Sequence, residues 1–314
     1  MTALPEGGAP RLTVGVVGFG RVGGVLAAAL ARVGHQVVAV SAISDVSRRR
    51  ATEVLPGVAV LPPEAVCSLA DLVFLTVPDD SLPDLVSGLA ATGAVRAGQF
   101  IAHTAGRYGI GVLEPATRAG ALPLALHPAM TFPGVPGGPL PRLDGVPFGV
   151  TAPQQLRAVA EALVVEMGGD PIWVPEESRV LYHAALVAGA NHLITLVVQA
   201  SAIAQSAGIQ DPAGLLGPLL HASLDNVLRS GANALTGPVV RGDSGTVAAH
   251  VAAIAAADPQ ALPVYLALAR ASADLALELG RLAPGRAAEL LGILGQGRPF
   301  DGGPLGPVDQ GPRP

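Results

Sequence analysis

The stretch Leu12-Thr13-Val14-Gly15-Val16-Val17-Gly18-Phe19-Gly20-Arg21-Val22-Gly23 decides how the chain folds. A β-branched run ends in a glycine-spaced turn, and an Ala- and Leu-rich segment from Val22 to Val33 follows at once. The run predicts a buried strand and the alanine-rich segment a helix. In such a turn Gly18 permits the bend, Gly20 lets a pyrophosphate approach the backbone, and Gly23 lets helix and strand pack closely. The helix start offers free N–H groups to the anion. Gly18, Phe19, Gly20, Arg21, Val22 and Gly23 therefore form a candidate dinucleotide-binding turn. The competing reading is a structural glycine turn, in a chain that carries 40 glycines.

Working outward, short apolar runs alternate with helical stretches. Strands are expected at 12–17, 36–40, 58–61, 71–77, 99–103 and 122–126, with helices at 22–33, 48–54, 82–91 and 111–118. Apolar runs of this length suit strands buried on both faces of a parallel sheet. Strand 146–151, helix 153–167 and strand 171–174 extend the pattern. Beyond Pro175 the strand signal stops, and helices are expected at 176–208, 215–229, 246–256, 259–279 and 284–294. The fold class is α/β: an N-terminal Rossmann domain (1–175) with a mainly parallel sheet, then an all-α domain (176–295) and a Gly/Pro-rich tail (296–314).

Composition narrows the function classes. Half of the 314 residues are hydrophobic and 14% are charged, enough apolar surface for packed cores. A net charge of −5 gives no broad footprint for nucleic acid. One cysteine, Cys67, excludes a disulfide framework, and no HxH or HExxH spacing points to a metal site. The first ten residues lack the pattern of a signal peptide. The segment 180–204 is strongly apolar, but His183, Asn191, His192, Thr195 and Gln199 interrupt it at a cost in lipid. A buried helix with a polar stripe is expected, and the cytoplasm is the expected location.

The strand ends supply the remaining candidates, because ligands in such sheets bind beyond the carboxyl ends of the strands. No acid stands at the tip of the second strand, where an NAD site usually has one. Ser41, Ser44 and Arg48 offer hydroxyls and a guanidinium to a 2′-phosphate, which favours NADP, while Asp45 keeps NAD open. Val77, Pro78 and Asp79 end the fourth strand, where Asp79 is a cofactor neighbour or a helix cap. His103 and His127 end the next two strands, with Thr131 beyond. Either histidine can bind a substrate carbonyl or transfer a proton, or instead hold the loop backbone. His183, Asn191, Thr195 and Gln199 recur at four-residue spacing in the first long helix and share a face. Thr236 and Arg241 lie in a glycine-broken loop that suits an anion or a helix cap.

The chain resembles the bacterial Rossmann-like proteins with a DUF2520 C-terminal domain. The resemblance rests on Val16–Gly23, His103-Thr104-Ala105-Gly106, Leu126 to Phe132, Tyr182-His183-Ala184-Ala185 with Asn191-His192, and Ala234 to Asp243. Their layout is similar to that of the 6-phosphogluconate dehydrogenase-like superfamily, with ketopantoate and pyrroline-5-carboxylate reductases. The resemblance implies NADP, an interdomain active site and a homodimer. It also implies reduction of a small carbonyl (a ketopantoate-like 2-oxo acid) or of an imine. His183 stands where the hydroxyacid relatives carry a lysine. His183 or His127 would then supply the proton, with Asn191 and Thr236 orienting the substrate and His103, Thr131 and Arg241 near it. The alternative is a non-catalytic NADP-binding sensor or scaffold.

Overall fold

The computed structural model describes residues 11–132 and 140–295. The Gly/Pro-rich tail expected from 296 lies outside the described residues. The described residues form two compact units that divide between Ala190 and Asn191.

The first unit is built on one eight-stranded sheet. Its strands are β1 (Thr13–Val17), β2 (Gln36–Ser41), β3 (Ala59–Val60), β4 (Leu72–Leu75), β5 (Phe100–His103), β6 (Leu122–Pro128), β7 (Pro147–Thr151) and β8 (Asp170–Trp173). They lie in the order β3-β2-β1-β4-β5-β6-β7-β8. All neighbours pair in parallel except β6 and β7, which are antiparallel in a register that sets Ala125 opposite Thr151 and His127 opposite Gly149.

Successive residues of a strand point to opposite faces, so both faces must be covered. On one face Val14, Val16, Leu72 and Phe74 pack with α1 (Arg21–Arg32), α2 (Asp45–Val54) and α6 (Arg157–Glu166). On the other, Val17, Val73 and Leu75 pack with α3 (Pro63–Leu69), α4 (Leu82–Ala91) and α5 (Glu114–Arg118). Helix α3 is absent from the sequence expectation. Its Pro62-Pro63 start looks like a turn, yet proline is favoured in the first turn of a helix, where its missing N–H costs nothing. Cys67 lies fully buried on α3, and burial pushes its thiol up to about 12, so it is an inert core residue. After β8 comes α7 (Arg179–Leu186), and a π-type turn at Val187–Asn191 follows it.

The second unit contains α8 (His192–Ser206), α9 (Pro212–Ser230), α10 (Pro238–Arg241), α11 (Ser244–Ala257), α12 (Leu262–Glu278) and α13 (Pro284–Leu294). Its core joins Val240, Val247, Leu266, Ala273, Leu290 and Leu294, all from α10 to α13. Helix α8 has no buried residue and α9 only Pro212. Among the described residues, Glu176–Ser206 is the one helix long and apolar enough to cross a membrane, and none of its most apolar stretch is buried in the chain. That corrects the expectation of a buried helix. The apolar character of the segment was plain, but the core of the unit forms without α8.

Phe74 is fully buried at the centre of the sheet. Phe74→Ala is expected to lower the unfolding free energy by about 3–5 kcal/mol, measured by urea titration of far-UV circular dichroism.

Candidate functional site

The glycine turn has the geometry its sequence predicts. Gly18 adopts a φ of +94°, and a Cβ there would meet the Thr76 carbonyl oxygen at 2.9 Å. At Gly23 a Cβ would lie 2.5 Å from the Thr76 hydroxyl and 2.6 Å from the Gly18 oxygen. Thr76, just past β4, locks the turn by donating its hydroxyl to the Gly18 carbonyl at 2.5 Å. Its role was invisible in sequence, since a threonine after a strand has no distinctive spacing. The Gly18 and Phe19 N–H groups both donate to the Ser41 carbonyl, tying the turn to the end of β2. Above Gly20 the space is open, with only the Gly18 oxygen as near as 4.0 Å from an added Cβ. Helix α1 starts there without a side-chain cap and without an acid in its first turn. Its first N–H groups have no partner within the helix, so the turn fits an anionic pyrophosphate. Phe19 is fully buried and reaches such a ligand through its backbone alone.

At the tip of β2 the candidates separate. The Ser41 side chain is buried, whereas Ser44 caps α2 by accepting the Ser47 N–H at 3.1 Å. Arg48 donates to the Ala42 carbonyl at 3.3 Å and remains largely exposed, 3.7 Å from the Asp45 carboxylate. At the end of β4, Asp79 and Asp80 both pair with Arg107 of the loop after β5, at 3.6 and 2.5 Å. Val77 and Pro78 lead directly into that pair.

Beyond β5 and β6 the structure gathers a cluster of rings. The His127 Nδ1 and the Tyr182 hydroxyl share a hydrogen bond of 2.9 Å. His127 also meets His183 edge-on, with ring centroids 5.7 Å apart. His183 lies so close over Gly106 that a Cβ there would sit 2.4 Å from its Cδ2 and 3.0 Å from the His127 Nε2. Gly149 makes the matching room for Tyr182, whose hydroxyl would be 2.4 Å from an added Cβ. His127 and His183 were expected in the site, and they adjoin each other. Tyr182 entered only as part of a motif, and its one signal was its position beside His183.

Arg179 explains the placement of α7. Only 1% of the residue is exposed, and among the described residues no carboxylate forms a salt bridge with it. Its Nε donates to the Thr151 hydroxyl at 2.8 Å, and one terminal nitrogen donates to the Ala125 and Gly149 carbonyls at 2.9 and 3.1 Å. The other terminal nitrogen has no partner among the described residues. Glu176 adds a second tie, accepting the Ile110 and Gly111 N–H groups at 2.7 and 2.9 Å. Burial brings the Arg179 guanidinium down to about 10, still charged at neutral pH. The sequence offered one hint: Arg179 stands one turn before His183 at the head of an apolar helix.

The other candidates take different roles or belong to the second unit. His103 is fully buried: the Ala105 N–H donates to its Nδ1 at 3.2 Å, and its Nε2 bonds the Gly109 carbonyl at 2.8 Å. Both ring nitrogens thus hold the loop, and none is left for a substrate. Thr131 is exposed at the edge of the described segment. Asn191, Thr236 and Arg241 belong to the second unit and are exposed, with Arg241 paired to Asp243 at 2.9 Å. The π-type turn interrupts the four-residue register between His183 and Asn191. Among the described residues no cluster of acids, histidines and cysteines could hold a metal ion.

Residues 5–128 match the model of the Rossmann-like domain, and residues 146–272 match that of a domain of unknown function, DUF2520. The chain belongs to the Rossmann-like, DUF2520 domain proteins. No curated protein matches this DUF2520 protein. Among solved structures it is similar to one from Bacteroides fragilis described as a candidate NADP oxidoreductase. The two are 22% identical, with 84% of this chain and 98% of that one covered and a TM-score of 0.69. An imine reductase from Pseudomonas is 18% identical over 91% of this chain and 100% of its own, with a TM-score of 0.63. A reductive aminase from Aspergillus terreus, solved with NADPH and ethyl levulinate, is 19% identical over 90% and 99%, with a TM-score of 0.60. At these identities the likeness is one of fold.

Electrostatics in the DUF2520 protein keep two of the histidines neutral. Burial lowers His103 to about 4, and burial together with the neighbouring His183, Arg179 and His103 lowers His127 to about 3. The unfolded chain therefore binds protons on these rings that the folded chain refuses. Their contribution to stability is complete above about pH 6.5 and is lost as the pH falls toward 4. Each ring adds a slope of about 1.4 kcal/mol per pH unit in that window. Urea titrations between pH 7 and 4 are expected to show that loss, and His103→Gln is expected to remove one proton's share of the slope.

Proposed function

We propose that this chain is an NADP-dependent oxidoreductase that reduces a small carbonyl or imine substrate. One observation carries the reading: the open glycine turn and the His127–Tyr182–His183 cluster both stand beyond the carboxyl ends of the parallel strands of one sheet. Such a sheet binds its ligands there. The candidate NADP oxidoreductase, imine reductase and reductive aminase folds support the reading.

The residues present fit the cofactor. Gly18 to Gly23 and the first turn of α1 would hold the pyrophosphate, Ser44 and Arg48 the 2′-phosphate, and Val77 to Asp79 the adjoining ribose. When bound, NADPH supplies the hydride, and the protein supplies orientation and the proton. The carbon that accepts the hydride leaves its oxygen or nitrogen needing a proton, and three linked groups stand ready. His183 offers an imidazole over Gly106. His127 is held neutral, and in the tautomer that serves the reaction Tyr182 donates its hydroxyl hydrogen to Nδ1 and the imidazole proton sits on Nε2, on the Gly106 side. As Nε2 gives up that proton, Nδ1 takes the one from Tyr182. Burial raises the cost of the phenolate that results, and the Arg179 guanidinium, 5.8 Å from the Tyr182 ring, offsets part of it. A 2-oxo acid such as ketopantoate and a cyclic imine are the two substrate classes to compare.

The expected outcome is loss of the NADPH absorbance band with a member of a 2-oxo acid and cyclic imine panel. Binding of NADPH to folded protein with no oxidation by any substrate would favour a sensor or scaffold. Tyr182→Phe and His127→Ala are expected to lower kcat by about 10²–10⁴-fold while leaving NADPH affinity within a few-fold. Gly23→Val is expected to abolish NADPH binding.

We also propose that the protein is a homodimer whose second copy covers α8 and α9. Val198 and Leu219 are each 63% exposed and Leu228 is 77% exposed, on two consecutive helices with almost no charge. An apolar surface of that kind is self-complementary and suits a two-fold interface. Light scattering at micromolar concentration is expected to give a dimer mass. Leu219→Glu combined with Leu228→Glu is expected to give a folded monomer, and a monomeric native protein would overturn the assignment.

A further inference from the structure

The second unit contains a cavity of about 370 Å³, lined wholly by residues of that unit. It exists because two helices present matched stripes without closing on each other. Helix α8 contributes Leu196, Gln199, Ala200 and Ile203, at spacings of three and four that form one face. Helix α12 answers with the face that carries Tyr265 and Leu268. The core of the unit is complete without α8, so nothing draws that helix tight, and the small side chain of Ala200 leaves space on its wall.

The lining is chemically selective. It is mostly aliphatic, and no Asp, Glu, Lys or Arg contributes to it among the described residues. Its polar groups are Gln199, Ser272 and one organised pair, in which the His250 Nδ1 and the Tyr265 hydroxyl share a hydrogen bond of 2.9 Å. Their rings meet edge-on at 6.1 Å. The pair crosses from α11 to α12 and fixes a donor and an acceptor on an otherwise apolar wall. Such a cavity discriminates against ions, which would leave water without a counter-charge. Its volume falls in the range of small-molecule pockets, where an apolar lining supplies affinity and a few placed polar groups supply orientation.

We propose that this cavity binds a small uncharged molecule, an apolar ring-sized body with one carbonyl or hydroxyl group held by the His250–Tyr265 pair. The lining comes from the second unit alone, and the proposal holds whether or not the protein turns over NADPH.

The test is calorimetric titration of the full-length protein with acetophenone and 1-phenylethanol, and with benzoate as a charged counterpart. Both neutral probes are expected to bind, and benzoate at least tenfold more weakly. Ala200→Phe, which fills the cavity from its half-buried wall, is expected to weaken the neutral probes at least tenfold, and Tyr265→Phe several-fold. His183→Ala in the other unit is expected to leave their affinity unchanged. Circular dichroism melts establish that each variant is folded. Unchanged affinity in folded Ala200→Phe would overturn the proposal, as would loss of binding in His183→Ala. Dissociation of a dimer by Ala200→Phe would also overturn it, because the cavity would then be occupied by the second copy.

Discussion

The site in the first unit depends on a buried cation held mainly by dipoles, with no direct ion pair among the described residues. Taking a guanidinium out of water costs several kcal/mol, and among the described residues no carboxylate bonds Arg179 directly, Glu176 acting on it only through its field. Carbonyl and hydroxyl dipoles do that work instead. The Ala125 carbonyl belongs to β6, the Gly149 carbonyl and Thr151 hydroxyl belong to β7, and the guanidinium joins all three to the start of α7. A rigid, forked donor set is what makes this possible, and a lysine's compact ammonium has no such fork. The same charge acts on its surroundings. It helps to hold His127 and His103 neutral, and it opposes the effect of burial on the Tyr182 hydroxyl, which remains above its ordinary value.

That arrangement divides the histidines into two kinds. His103 spends both nitrogens on backbone groups and keeps the loop from Thr104 to Gly109 in shape. His127 spends one nitrogen on Tyr182 and turns the other toward the space beside Gly106, where His183 also lies. Two histidines at neighbouring strand ends look equivalent in sequence. Their difference is set by their partners, Gly109 in the adjoining loop for one and Tyr182, 55 residues on, for the other.

The first unit was legible because its signals are local. Strand periodicity, the spacing of Gly18, Gly20 and Gly23, and the alternation of elements each occupy a few residues, and the strands fall within two residues of their expected bounds, as do α1 and α4. Thr76, Arg179 and Glu176 were not legible as parts of the site, because each acts through a contact that only the sheet topology creates. The second unit shows the opposite limit. Its longer helices were plain from their apolar pattern, while the short α10 lies in what reads as a glycine-broken loop, and a pattern cannot say which helices make the core. Helices α8 and α9 are as apolar as the rest and stand outside it. A polar stripe from His183 to Gln199 assumed an unbroken α register, which the π-type turn does not keep.

The antiparallel step between β6 and β7 sets the direction of everything that follows it. Strand β6 rises from Ala125 to His127, toward the edge where the glycine turn lies, and β7 descends from Gly149 to Thr151 beside it. Because β8 is parallel to β7, the chain leaves the sheet at the far edge. The helix that comes next has to climb back, starting with Arg179 level with Ala125 and Thr151 and bringing Tyr182 level with His127 and Gly149 one turn later. An all-parallel sheet would have sent that helix away from the ligand edge. One reversed strand works as a switch of polarity, turning a segment that would leave the site into one that arrives there.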